Sequence, residues 1–198
     1  MPTTAPVSPS AEPPMQPITV AMFREMVRSG IVGEKEPVYL WKGRLARRKA
    51  PNRPHSIAVD RSRRALESVI PPGFHAQQGQ AVAMRTEHST PEPDLAVLRG
   101  RPDDFPNDFP TTADLSLVVE VADSSIAPDR DQAGDFAREG IPAYWIVDLK
   151  GRRIEAHDSP DHGTYQRTST FSESNDIPVV IDGREVGRLR VLDLLPPR

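Results

Sequence analysis

Two carboxylates in apolar, strand-like surroundings are the residues of this chain best suited to chemistry. Asp94 stands in E-P-D-L-A-V-L and Glu120 in L-S-L-V-V-E-V-A-D. Residues two apart in a strand share a face, so Val118, Glu120 and Ala122 point one way and Leu117, Val119 and Val121 the other. By the same rule Asp94, Ala96 and Leu98 oppose Leu95 and Val97. A buried carboxylate without compensation shifts its pKa upward or requires a cation. If the two strands are neighbours, Asp94 and Glu120 can converge on one hard divalent ion. Oxygen ligands in a chain with no cysteine favour Mg2+ or Mn2+ over zinc. Such an ion would hold a phosphate oxygen, polarise phosphorus and acidify a bound water.

The same residues have blander readings. Glu120 would be satisfied by a buried pair with Arg138 or Arg152, and Asp94 by a role as a strand-entry cap or turn residue. His55 is either a helix-start residue or a substrate contact. Gln80 is either a strand-edge amide or a group that polarises water. Asp123, at the end of its strand, is equally a site carboxylate or a turn carboxylate, Tyr144 and Trp145 suit core packing, and Asp148-Leu149-Lys150-Gly151 reads as a hairpin turn. No phosphate-binding G-x-x-x-x-G-K-[ST] loop, G-x-G-x-x-G, G-x-S-x-G or H-E-x-x-H occurs, which removes the main support for kinase, dinucleotide-dependent oxidoreductase, α/β-hydrolase and zincin readings.

The elements that must position these residues follow from periodicity. The strand around Glu120 is apolar almost throughout, as strands covered on both faces are, and is expected at the centre of a sheet. Residues 55–70 have helical period, with Ala58, Ser62, Ala65, Leu66, Val69 and Ile70 forming the packed stripe before Pro71-Pro72-Gly73 stops it. A second helix starts with Thr19 as its cap and ends at Gly30. A third is expected with Asp129 as its cap and Gln132 completing a capping box. PVYLWKGRLARR and AYWIVDLKGRRIEAHDS read as hairpins around Lys-Gly turns, and the remaining C-terminal segments as further strand and turn.

The chain has 198 residues, 22 of them proline, and a net charge of -3. Its length suits one core, and we expect residues 18–198 to form a single α/β domain with a mixed β-sheet flanked by helices, preceded by a disordered or loosely attached tail over 1–17. Without cysteine there is neither a disulfide scaffold nor a thiolate metal site, and with no membrane-length apolar run or export signal a cytoplasmic location is expected. The near-neutral net charge conceals segregation. Residues 42–64 carry nine Lys or Arg against one acid, whereas 87–123 carry nine acids against two bases. A basic surface beside a cation-collecting centre suits a polyanion, and internal pairing explains the pattern equally well.

His55, E-P-D-L-A-V-L-R-G at 92–100, L-V-V-E-V-A-D-S-S at 117–125, F-A-R-E-G-I-P-A-Y-W-I-V-D-L at 136–149 and the final I-D-G-R-E-V and V-L-D-L-L-P together resemble the Uma2 family of restriction-endonuclease-like proteins. The resemblance covers about residues 18–197. It implies the PD-(D/E)XK nuclease fold, with Mg2+ held by acidic residues and a DNA phosphodiester as substrate. Pro93-Asp94 resembles the family's P-D, Glu120 its glutamate, Gln80 its glutamine or glutamate before an apolar strand, His55 its histidine ahead of the first core helix, and Asp129 the aspartate opening the next helix. On this resemblance Asp94 and Glu120 are metal ligands, His55 and Gln80 join them as catalytic residues, and a homodimer is implied. One departure stands out. The motif lysine would fall at Ala122, and the helix position at which family members carry a lysine instead holds Ala133. The leading expectation is a metal-dependent endonuclease hydrolysing DNA phosphodiester bonds, and the alternative is a catalytically impaired nucleic-acid-binding or protein-interaction domain of the same fold.

Overall fold

The computed structural model describes residues 15–33, 36–48, 50–105, 109–124 and 126–198. Most of the expected N-terminal tail, and Lys49, lie outside the described residues.

Helix α1 (Val20–Arg28) begins where Thr19 Oγ1 accepts the Met22 amide. Strands β1 (Val38–Trp41) and β2 (Arg44–Arg47) form the expected hairpin, with Lys42 and Gly43 both at positive φ, the two-residue turn whose twist suits paired strands. Helix α2 (Arg53–Glu67) starts earlier than its apolar period suggests. Asn52 caps it, and Pro54 occupies the first turn, where a missing N–H costs nothing.

Strands β3 (Phe74–Gln78), β4 (Leu95–Arg99), β5 (Leu115–Ala122), β6 (Ala143–Asp148), β7 (Arg153–Asp161) and β8 (Thr164–Ser172) form one six-stranded sheet in that spatial order. Only β5 and β6 pair in parallel, and helix α3 (Ala127–Arg138) makes the crossover between them. The fold is thus a mixed sheet flanked by helices, with β5 in its interior, as its apolar run predicts. The β6–β7 turn is closed by the Gly151 amide on Asp148 Oδ1, 2.8 Å.

Two core layers lie on the two faces of this sheet. One joins Leu95, Val97, Leu117, Val119 and Val121 to Ala58, Val59 and Leu66 of α2, and is extended by the hairpin β9 (Asp176–Ile181) and β10 (Arg184–Arg190). The other joins Ala96, Leu98, Val118 and Ala122 to Phe136 of α3 and to Tyr144 and Ile146 of β6. The alternation of faces is the one expected from strand geometry. A smaller cluster, built from Phe23, Val32 and Leu40, ties α1 to the first hairpin.

Two expectations are corrected. Asp129 does not cap α3: the helix begins three residues earlier than that cap implies, with Ile126 at the cap position and Pro128 in the first turn, so Asp129 lies inside that turn and the capping box with Gln132 does not form. Proline at that point has the backbone angle of a helix and no amide to satisfy, which carries the helix back past the aspartate. The segment after β10 is not strand and turn alone, because Val191–Leu194 forms a short helix, α4, that buries Val191 and Leu194. No helix among the described residues is long and apolar enough to cross a membrane.

Asn52 works twice at the start of α2. Its Oδ1 accepts the His55 amide at 3.0 Å, and its Nδ2 donates to Asp123 Oδ2 at the end of β5. Asn52→Ala is therefore expected to lower stability by about 1 kcal/mol, a fall in melting temperature of roughly 2–4 °C for a domain of this size. Thermal unfolding of the two proteins checks this; equal midpoints would mean that neither bond holds the helix.

Candidate functional site

The site is built at the β4–β5 junction. These strands are antiparallel, and the pairing of Ala96 with Val118 and of Leu95 with Val119 sets Asp94 opposite Glu120. The two side chains are fixed by each other's backbones. Glu120 Oε2 accepts the Asp94 amide at 3.1 Å, and Asp94 Oδ2 accepts the Val121 amide at 2.8 Å. His55, in the first turn of α2, donates from Nε2 to the same Asp94 oxygen at 3.0 Å. Asp129 approaches from α3, and its backbone carbonyl accepts the Tyr144 hydroxyl at 3.0 Å.

This is an acid-rich place with little positive charge to offset it. Burial, and next the negative charge of Asp94, hold the Glu120 carboxyl well above the usual carboxylate range, and the charge of Asp129 adds to this while the Asp94 amide opposes it. Burial and then the Asp94 charge push Asp129 up to about 6. The His55 imidazole is raised, chiefly by its hydrogen bond to Asp94, against the opposing effect of burial. The arginines that would have explained Glu120 structurally are engaged elsewhere: Arg138 pairs with Asp135 and Arg152 with Glu173. Arg130, one turn from the cleft, is held by Glu155.

The carboxylates open into a cleft of about 500 Å³, lined also by Tyr39, Arg47, Asn52, Gln78, Asp123 and Gln132. Asp94, Glu120 and His55 are thus brought together. Gln80 is not: it lines a separate cavity, and Gln78 is the glutamine that faces this cleft. Asp123, open between site and turn in the sequence, reaches the cleft, and so does Asn52, which the sequence did not single out. Asn52 followed by Arg53-Pro54 is a helix-start signature that places it at this end of α2; nothing in the sequence marks Gln78 over Gln80, because the chain leaves the strand at Gly79, at positive φ.

Among the described residues no three His, Asp or Glu side chains converge into a metal cage. Mg2+ needs less than a cage, since it is commonly held by one or two carboxylates and keeps several waters. The adjacent, cation-poor pair Asp94 and Glu120 fits that minimal mode and does not fit a fully protein-ligated ion.

The basic segment is largely spent on internal pairing. Lys42 pairs with Asp135, Arg48 with Glu92, and Arg63 and Arg64 with Asp60, while Arg61 donates to the Asp193 carbonyl. Arg44, Arg47 and Arg53 have no ion-pair partner among the described residues. Tyr144 and Trp145 are core residues, 0% and 3% exposed.

Comparison with known proteins bears on the fold and the family. No curated protein matches the chain. A crystal structure of "a putative nuclease belonging to DUF820" from Anabaena variabilis is similar over 90% of this chain and 97% of that one, with a TM-score of 0.66 and 18% identity, which establishes likeness of fold. A family model described as "Putative restriction endonuclease" matches residues 22–188, and the chain therefore belongs to the Uma2 family, with the nuclease-like fold of that family.

Proposed function

We propose that this chain is a nucleic-acid-binding domain of the nuclease fold whose hydrolytic machinery is impaired. The observation that carries this reading is the pairing of an intact carboxylate cleft with the lack of a lysine beside it among the described residues. Lys42 is committed to Asp135 and Lys150 to the Ser124 carbonyl. Ala122 is buried in the core under α3, as is part of Ala133, so neither motif position offers a charge to the cleft. An ammonium would stabilise a nucleophilic hydroxide and the charge that develops on phosphorus. Gln132 lines the cleft in its place and carries no charge.

Binding is supported by the free guanidinium groups at the cleft. Arg47 lines it and Arg53 opens α2 directly after Asn52. Charge-neutralising phosphate contacts would give a log affinity that falls linearly with log salt concentration.

A second reading, a metal-dependent endonuclease acting on DNA, is favoured by one feature: two carboxylates crowded together, neither paired with a lysine or arginine among the described residues, leave room for a divalent ion. Asp94 and Glu120 would hold it, and Mg2+, or Mn2+ in its place, would supply charge for a phosphate oxygen and an acidified water. His55 would keep Asp94 in position through its Nε2 bond. Among the described residues, the stabilising ammonium is then the group that is lacking.

Arg47→Ala and Arg53→Ala are each expected to weaken DNA binding uniformly across sequences and to lower the steepness of log affinity against log salt by about 1. Fluorescence anisotropy titrations over a range of salt read this, and unchanged slopes would remove the cleft from the nucleic-acid face. The two functional readings separate in a cleavage assay with Mg2+ or Mn2+. The parent is expected to leave DNA intact and Gln132→Lys to confer metal-dependent cleavage; cleavage by the parent that Glu120→Gln abolishes would establish the endonuclease instead. In thermal unfolding, Mn2+ is expected to raise the midpoint of the parent and not that of Glu120→Gln, which separates ion binding from turnover.

A further inference from the structure

Three arginines far apart in sequence, Arg61 of α2, Arg152 of the β6–β7 turn and Arg198 beyond α4, line one cavity of about 480 Å³. Hydrogen bonds fix their relative positions. Arg152 Nε and Arg198 Nη2 donate to the two oxygens of a single carboxylate, Glu173, so their guanidinium groups lie side by side. Arg61 and Arg152 grip the same short segment of chain. Arg61 Nε donates to the Asp193 carbonyl at 2.9 Å and its Nη2 to the Leu192 carbonyl at 3.3 Å, while Arg152 Nη1 donates to the Pro196 carbonyl at 3.2 Å. The Arg152 side chain is 21% exposed and that of Arg198 75%, which leaves part of each reachable from the cavity.

Bracing the chain does not use up this charge. The carbonyls that Arg61 and Arg152 hold are neutral, and Glu173 is the one carboxylate among the lining side chains. It stays ionised, because its bond to Arg152, helped by its bond to Arg198, holds the carboxyl below the usual range. Three positive side chains thus meet one negative one. Asp193, whose carbonyl Arg61 holds, is bonded through both carboxylate oxygens to Arg190 and offsets that charge instead. Donors are also in surplus. A guanidinium carries five N–H groups, of which Arg61 and Arg152 spend two each and Arg198 one.

An oxyanion is what such a cluster suits, since the planar fork of arginine matches the oxygens of a phosphate and the bonds are charge-assisted. Leu192 and Pro197 add apolar wall, which focuses a field of one sign, and Ser174 adds a hydroxyl. The cavity lies at the same end of the sheet as the carboxylate cleft. Where the parallel strands β5 and β6 end, the Leu149 amide donates to the Ala122 carbonyl at 2.9 Å and Lys150 Nζ to the Ser124 carbonyl at 3.0 Å. Ala122 and Ser124 line the cleft, and Arg152, two residues after Lys150, lines the cavity. The β6–β7 turn therefore touches both spaces.

We propose that this cavity is a phosphate site, in which Arg61, Arg152 and Arg198 together bind one oxyanion. A backbone phosphate of a strand leaving the cleft and a free phosphate offer the same chemistry. The shared turn favours the strand, and that part of the proposal rests on the nucleic-acid reading above.

The test uses the full chain, inorganic phosphate, and DNA oligonucleotides of increasing length at constant salt. In calorimetric titrations against matched chloride the parent is expected to bind inorganic phosphate at millimolar concentration. Arg61→Gln and Arg198→Ala are each expected to weaken that binding about tenfold, and Arg47→Ala, in the cleft, to leave it unchanged. Arg198 is largely exposed, so its variant decides alone if Arg61→Gln, which releases α4, unfolds. For the strand, the affinity gained by lengthening the oligonucleotide is expected to shrink in Arg198→Ala. Phosphate binding weakened by these variants while oligonucleotide affinity stays the same supports the site and assigns it to a free phosphate. Inorganic phosphate that does not bind, or whose binding Arg47→Ala abolishes and Arg198→Ala leaves intact, overturns the site. The nucleic-acid reading is decided separately, by the salt slopes of Arg47→Ala and Arg53→Ala.

Discussion

Everything at this site depends on a reciprocal clasp between two strands. Asp94 takes the amide of Val121, and Glu120 takes the amide of Asp94, so each carboxylate is held by the other's strand. Charged acceptors on backbone donors make strong hydrogen bonds, and these two fix both side chains at the point where β4 enters the sheet. The same clasp forces two negative groups together in a partly buried space. Geometry and electrostatics therefore pull in opposite directions, and a proton or a cation is what reconciles them.

The surroundings keep that conflict from relaxing. Glu120 belongs to an interior strand with neighbours on both sides, so the backbone cannot withdraw it. Asp129 is held over the same space because α3 is braced from beneath: Phe136 packs on Tyr144 with ring centroids 5.1 Å apart, and Tyr144, His157 and Tyr165 continue the stack across the sheet. On the far side His55 is set by the Asn52 cap. Three elements from separate parts of the chain thus converge on one cleft, each anchored by apolar packing outside it. The result is a set of ionisable groups held in fixed positions by packing outside the cleft.

Much of this was legible in the sequence, because burial leaves a period. The alternation in LSLVVEVA gives the faces of β5, and the same rule at EPDLAVL gives those of β4; that the two strands are neighbours, in the register that sets Asp94 opposite Glu120, is shown by the structure. What periodicity cannot supply is the reach of polar side chains across space. The nine basic residues of 42–64 read as one positive surface, yet two of them are neutralised by acids far away in sequence, Lys42 by Asp135 and Arg48 by Glu92, and Arg63 and Arg64 by acids of their own helix. The start of α3 was missed for a related reason: a capping box is a local pattern, and Pro128 with the preceding turn outweighed it. Gln80 was misplaced because a single glycine redirects the chain after β3, and a two-residue shift at a strand end moves a side chain into another cavity.

Helix α2, which carries His55, rests on a layer made late in the chain. Ile177, Val179, Leu189, Val191 and Leu194 share its core with Ala58, Val59 and Leu66, and Arg61 donates to the backbone carbonyls of Leu192 and Asp193. On the ribosome, residues 53–67 emerge long before residues 177–194 exist to cover them. The histidine face of the cleft can therefore not settle vectorially, and must wait as exposed apolar surface until synthesis has passed the last hairpin.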